Sequence, residues 1–483
     1  MVVAFMALVG CTSGPNYMRP DFSPPPTYKE AGSWKQAQPK NVDASQAWWM
    51  HYRDTELDAL VARANGANEE IHTAEAQYRQ ARAAAQLARA GFAPTLGAGV
   101  SIGRGRTPSA GHPVTASSNA LALNASWEPD LWGRVQRSVE AGEAAAQASA
   151  ADLAAARLSI QAELVQDYLL LRTTDAQKLL LERTAQGYRK ALALTRSQYA
   201  AGTVTAADVA LAEAQLQSVN AQAMDLDVQR AQLEHALAAL TGRAPAELSI
   251  ARRLSDNLGL ALPEVPLGLP SQLLERRPDI AAAERRAAAA NANIGVAQSA
   301  YFPSVVLSAG AGYASTNLSQ WIEAPSRIWS LGAALAGTIF DGGARRARTD
   351  AALAAYDIAA AQYKRTVLAG LQEVDDNLAA LRVLGEERVV QEAAVSAARV
   401  AERSSLAQYR AGTATYLAVI TSQSLLLSNQ RTAVQLLGRQ LLASAALVKA
   451  LGGGWNAAAL DTAAANGSAA RGLPPAGPNA IAN

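Results

Sequence analysis

The sequence predicts a mainly α-helical chain that carries a few membrane-type β-strands, arranged as one helix–strand–strand–helix unit used twice. Three observations predict this. An internal repeat recurs at a spacing near 210 residues, long alanine-rich stretches lack proline, and short runs alternate apolar with small or polar residues.

The repeat comes first because it organises everything else. Gln198-Tyr199-Ala200-Ala201-Gly202-Thr203-Val204-Thr205 returns 210 residues later as Gln408-Tyr409-Arg410-Ala411-Gly412-Thr413-Ala414-Thr415. Phe92-Ala93-Pro94 is echoed by Tyr301-Phe302-Pro303, Asp130 by Asp341, and Glu70-Ile71 by Asp279-Ile280. Alanine-rich helices resemble one another easily, so any one match is weak. Four matches in order at nearly one offset are not.

Each unit opens with a helix, about Glu56 to Ala90 and Asp279 to Ala300, closed by a proline whose ring cannot continue the ladder. Strands follow at about 95–103 and 120–128, and again at about 304–313 and 329–340. Leu96, Ala98, Val100 and Ile102 alternate with Thr95, Gly97, Gly99 and Ser101, and Leu121, Leu123, Ala125 and Trp127 do so on the return run. In the second unit Val305, Leu307, Ala309, Ala311 and Tyr313 form one face, as do Leu331, Ala333, Leu335, Gly337 and Ile339. One apolar face over about 9–11 residues is the signature of a transmembrane barrel strand. An ordinary antiparallel sheet on a helical core is the alternative. The Gly/Pro/Ser-rich stretch Arg104 to Ser118 reads as a long exposed loop between the first two strands. Four strands cannot close a barrel, and open edges do not exist in lipid, so the strands must be pooled with other copies. Three copies would give roughly twelve.

From Arg134 to Ala200 there is no proline, and these 67 residues span about 100 Å as one helix. Leu153, Ile160, Leu164, Tyr168 and Leu171 follow helix-packing steps. Gly202 stops that helix and Thr205 to Leu240 runs back, so Gly202-Thr203 and Gly412-Thr413 are the tips of two helical hairpins. The units fall at 56–243 and 278–455, with a linker at 244–277 and an Ala/Gly/Pro/Asn-rich, disordered tail at 456–483.

Half of the 483 residues are hydrophobic but only 5% are aromatic, and the formal net charge is +2, which implies no polyanionic partner such as nucleic acid. Cys11 is the one cysteine, and His51, His72, His112 and His235 are scattered, so no disulfide or metal site is expected. No acid/base pair, nucleophile elbow or phosphate loop is present, so no enzyme is expected.

Residues 1–10 form an apolar stretch ending in Leu8-Val9-Gly10-Cys11, read as a signal peptide before a lipidated cysteine. The alternative is a buried apolar segment with an incidental cysteine. No Lys or Arg precedes the run, which a start further upstream would supply. Residues 11–55 then read as an extended tether, with Pro15, Pro20 and Pro24-Pro25-Pro26, and with Trp34, Trp48 and Trp49 to pack it down.

With Ser126-Trp127-Glu128-Pro129-Asp130-Leu131-Trp132-Gly133-Arg134, Arg276-Arg277-Pro278-Asp279-Ile280, the paired Tyr-x-x-Gly-Thr tips and Lys449-Ala450-Leu451-Gly452-Gly453-Gly454-Trp455, the chain resembles the TolC-like outer membrane factors, in their NodT/OprM-type lipoprotein branch. The resemblance implies a homotrimer in which a shared β-barrel in the outer membrane continues into a helical tunnel, with lipid on Cys11 and no other cofactor. The tips Gly202, Thr203, Gly412 and Thr413 would meet a periplasmic adaptor docked on an inner-membrane pump of RND type. Asp208, Tyr409, Arg410 and Leu417 are candidates for the aperture that closes the tunnel. For Asp208 the alternative is a helix-capping role. Where the family pattern carries one basic and two acidic residues after the second tip, this chain has Ala414, Ala418 and Thr421.

The function expected is a passive exit duct for drugs or toxic metabolites in a tripartite efflux pump. The alternatives are the duct of a type I protein secretion system and a structural periplasmic lipoprotein without a channel.

Overall fold

The computed structural model describes residues 12–30, 47–109, 112–253, 262–263 and 273–458. Cys11, the apolar stretch 1–10, Trp34 and nearly all of the expected tail lie outside the described residues. The chain divides into two compact units, one made of Met1–Phe22, Ala76–Ala150 and Ala282–Lys364, the other of Ser23–Glu75, Ala151–Ala281 and Arg365–Asn483. Twelve α-helices and strands of the described residues build these units. They are α1 (Thr55–Ala67), α2 (Glu69–Ala90), β1 (Thr95–Ser109), β2 (His112–Trp127), α3 (Arg134–Ala200) and α4 (Ala206–Leu240), then α5 (Leu273–Arg276), α6 (Pro278–Ser299), β3 (Ser304–Ser315), β4 (Arg327–Ala336), α7 (Ala344–Arg410) and α8 (Tyr416–Ala450).

The duplication is visible in the element lengths. Helices α2 and α6 each have 22 residues, α3 and α7 each have 67, and α4 and α8 each have 35. Equivalent backbone contacts recur as well. Gly242 follows α4 with φ +68°, and a Cβ there would stand 2.1 Å from the Ala67 carbonyl oxygen. Gly452 follows α8 with φ +91°, and its Cβ would stand 2.0 Å from the Arg276 carbonyl oxygen. Only glycine tolerates both the left-handed turn and that approach.

In the first unit the strands form one antiparallel sheet in the order β1-β2-β3-β4. The stretch expected as a loop from Arg104 to Ser118 is instead ladder, since β1 pairs with β2 from Thr95↔Ser126 through Arg104↔Ser117 to Ser109↔His112. The two prolines of this stretch, Pro108 and Pro113, lie directly opposite each other, so neither leaves an unmatched donor across the β1–β2 ladder. Strand β4 stops at Ala336 rather than near 340, where its β3 partner begins at Ser304. The extended leader is held down at residues 12–19. The buried Arg137 of α3 donates to Ser13 O at 3.0 Å, Gly14 O at 3.2 Å and Asn16 Oδ1 at 2.9 Å. Tyr17 OH donates to Glu284 Oε1 at 2.6 Å, and Arg19 Nε to Tyr363 OH at 3.0 Å.

The second unit contains the main apolar core. Tyr52, Leu57, Val61 and Ile71 pack with Ile160, Leu164, Tyr168 and Leu171 of α3 and with Leu237 and Leu441, while Leu153 lies at the margin. Each large side chain so buried contributes about 1.5–3 kcal/mol. Trp48 and Trp49 join this core. The opening helix expected as one piece is two, because Asn68 interrupts it. Its Oδ1 accepts from the Glu70 and Ile71 amides, starting α2 as a new helix, and its Nδ2 donates to Leu240 O at 3.0 Å.

Candidate functional site

Two regions can carry function: the faces of the sheet and the ends of the hairpins. In the sheet the register decides which side chains share a face. Leu96 lies opposite Ala125, Ala98 opposite Leu123 and Val100 opposite Leu121. Leu121 in turn lies opposite Tyr313, Leu123 opposite Ala311 and Trp127 opposite Leu307, while Val305, Ala309 and Ala311 face Leu335, Leu331 and Trp329. The alternating apolar residues within the four strands therefore lie on one face, whereas Gly337 and Ile339 fall beyond the end of β4. Thr95, Gly97, Ser101, Asn124, Ser126, Ser308, Ser330 and Gly332 occupy the other. The apolar face has little cover: Leu96 is 73% exposed, Leu331 76% and Trp329 77%. In water such a face would be a liability, whereas against lipid it is the surface required.

At each hairpin end the long helix stops in the same way. Gly202 (φ +72°) and Gly412 (φ +75°) take the left-handed turn. The Thr203 amide and hydroxyl both donate to Gln198 O at 2.9 Å, and those of Thr413 donate to Gln408 O at 2.9 and 3.1 Å. This is the glycine-terminated motif that satisfies a helix's last carbonyls. All four tip residues are exposed.

The returning helices begin differently. Helix α4 starts with a capping box in which Thr205 Oγ1 accepts from the Asp208 amide at 3.3 Å and Asp208 Oδ2 accepts from the Thr205 amide at 2.9 Å. Asp208 Oδ2 also accepts from the Thr205 hydroxyl at 2.8 Å. Asp208 is thus part of the helix cap, with Oδ1 bearing no bond within the described residues. Helix α8 starts at Thr415 with no side-chain cap. Tyr409 is buried in a cluster with Leu216, Leu427 and Tyr416, its ring 5.3 Å from that of Tyr416 and its hydroxyl 3.3 Å from Thr195 Oγ1. Arg410 and Leu417 are exposed, Leu417 by 61%. Of the four aperture candidates, two are occupied within the chain and two face outward.

Three buried arginines carry no signal in the sequence beyond the Arg276-Arg277-Pro278-Asp279 motif: Arg137, Arg172 and Arg277. Arg172 is fully buried on α3, where it pairs with Glu56, reaches Asp175 at 3.2 Å and donates to Ala251 O at 2.8 Å and Tyr168 OH at 2.9 Å. Arg277 holds Asp279 bidentately at 3.0 and 2.7 Å and donates to Glu373 at 2.7 Å and Ala450 O at 3.2 Å. Burial opposes its charge, but Asp279 and Glu373 outweigh that and keep the guanidinium more basic than usual. Burial would likewise raise Asp54, yet donors from Tyr168 and Arg253 hold its carboxyl below the usual range. Asp167, buried and repelled by Glu163, is pushed up to about 6. Among the described residues no cluster could hold a metal ion, and no helix is long and apolar enough to cross a membrane.

The outer membrane efflux protein family model matches residues 60–243 and 269–453. The chain is 32% identical over 467 residues to the probable efflux pump outer membrane protein SepC of Pseudomonas putida, covering 93% of this chain and 95% of that one. It is 31% identical over 466 residues to the pyoverdine export outer membrane protein OpmQ of Pseudomonas aeruginosa, covering 94% and 96%. Among solved structures it resembles the outer-membrane channel OprN with a TM-score of 0.87 and 30% identity, over 92% of this chain and 100% of that one.

Proposed function

The chain belongs to the outer membrane efflux protein family, and from that premise we propose that three copies pool their strands into one roughly twelve-stranded barrel that serves as a passive exit duct. The observation that carries this reading is the sheet: one continuous apolar face, nearly bare, on four strands with two unpaired edges. Such a sheet is stable in a bilayer only when its edges are closed by further strands. The family is one of efflux channels rather than enzymes, and its members are proteins of the outer membrane.

The helical hairpins, in this reading, line the periplasmic part of the duct. Their tips at Gly202-Thr203 and Gly412-Thr413 dock a periplasmic adaptor, which couples the duct to an energised inner-membrane pump of RND type. Arg410 and Leu417, exposed beside the second tip, and the Asp208 carboxylate, through the oxygen not used in the cap, face neighbouring copies at the constriction. Cys11 carries the lipid that anchors the leader. The efflux reading is favoured over a protein-secretion duct by relatives of nearly equal length that are named for efflux and export.

The purified chain, extracted from outer membranes in detergent, tests this directly. A native mass of three copies, together with ion conductance in planar bilayers, is the expected result. A monomer without conductance would overturn the duct.

A further inference from the structure

We propose that the free edge of β4 pairs with the free edge of β1 from a second copy in one defined register, with Leu335 opposite Val100 and Ala333 opposite Ile102. This rests on the barrel reading above and adds the residue pairing at the seam. The internal duplication supplies the template. Pro94 and Pro303 align β1 with β3 at an offset of 209. The hairpin ladders then align β2 with β4 at 210, since Thr95↔Ser126 in the first repeat becomes Ser304↔Ala336 in the second.

Between the repeats, β2 pairs with β3 from Asn119↔Ser315 to Trp127↔Leu307. Moving that ladder on by the same two offsets makes β4 the next β2 and the second copy's β1 the next β3. It places Trp329 opposite Arg106, Leu331 opposite Arg104, Ala333 opposite Ile102 and Leu335 opposite Val100. The faces agree independently of the offsets. In this register Ala333 and Leu335 meet Ile102 and Val100 on the apolar face of β1, while Leu331 and Trp329 lie on the same side of the sheet against Arg104 and Arg106. A slip of one residue would set Leu335 against Gly99 or Ser101 and turn one strand's lipid-facing residues to the other side. Exposure points to the same missing neighbour. Leu335 is 71% exposed and Val100 64% on the edge strands, against 38% for Leu307 on the inner β3.

Cysteine pairs in the full chain, with Cys11 retained, test the register under mild oxidant in detergent-extracted protein. Opposed residues bring Cβ atoms within disulfide reach, whereas diagonal neighbours do not. The pairs Leu335→Cys with Val100→Cys and Ala333→Cys with Ile102→Cys should cross-link copies about tenfold more than Leu335→Cys with Ala98→Cys or with Ile102→Cys. Single-cysteine variants should give only background. If the oligomer has native mass but a comparator pair links best, or none links, the register is overturned and the barrel stands. A chain that stays monomeric overturns both.

Discussion

The two repeats of this chain solve the same backbone problems identically and place their side chains differently. Gly242 and Gly452 make the same close approach, and Asp130 and Asp341 each accept amides at the start of a 67-residue helix. Both tips close on a left-handed glycine and a threonine. Equivalent side chains nevertheless differ in environment. Asn68 donates to Leu240 O where, in the second repeat, Arg277 donates to Ala450 O. Arg172 is fully buried, whereas Arg382, 210 residues on, is exposed and pairs with Glu30 at 2.9 Å. Tyr199 is 51% exposed and Tyr409 is 4%. The lesson is that duplication preserves the requirements of chain geometry, while each copy adapts to surroundings that occur only once, the leader segment above all.

The largest effects should come from the shared geometry. Gly242→Ala and Gly452→Ala each force a Cβ into a carbonyl at positive φ, at a cost of about 3 kcal/mol or more. Chemical denaturation should show both variants losing comparable stability. If one is tolerated, the backbone equivalence is superficial. Gly187→Ala, in mid-helix with open space around it, should by contrast gain up to about 1 kcal/mol.

Next in size is the arginine pair. Arg172→Met strips a buried hydrogen-bonded cation from Glu56 and Asp175 and should cost about 3–5 kcal/mol. Arg382→Met removes an exposed pair and should leave the unfolding midpoint unchanged within error. Equal losses in the two variants would sink the claim that burial separates these sites.

The smallest effect separates the tips. Thr205→Ala should cost about 1 kcal/mol, confined to the start of α4, and Thr415→Ala next to nothing at α8. Hydrogen exchange at the two helix starts measures this, and equal acceleration at both would contradict the capping difference. Asp208→Asn keeps an acceptor but drops the charge. Altered bilayer selectivity in that variant would mark the carboxylate as part of the constriction, and unchanged selectivity would leave it a cap only.

Much of this was legible in the sequence because it depends on period and punctuation. Alternation fixed which residues share a sheet face, since the side-chain period of two leaves no other choice. Proline and glycine fixed where the long helices end. The break at Asn68 was less visible, although asparagine followed by Glu69 and Glu70 is a helix-start signal inside an otherwise helical run. The strands beyond Ile102 carry no strand signal, because their glycines, serines and prolines have the composition of a loop and only pairing makes them strand. Arg172 was invisible for another reason: its partners at positions 56, 168, 175 and 251 come together only in three dimensions.

The leader has one further consequence. From Ser13, whose amide donates to Trp132 O at 3.1 Å, the chain is clamped rather than slack, and Gly14 sits so close to Gly295 that a Cβ would lie 2.4 Å from its Cα. Should Cys11 carry the lipid proposed above, a chain fixed from Ser13 onward would make its acyl groups less a leash than a mooring pin. Almost no slack would separate the bilayer from the folded body, and the pull of the lipid would set the depth at which the protein rides in the membrane.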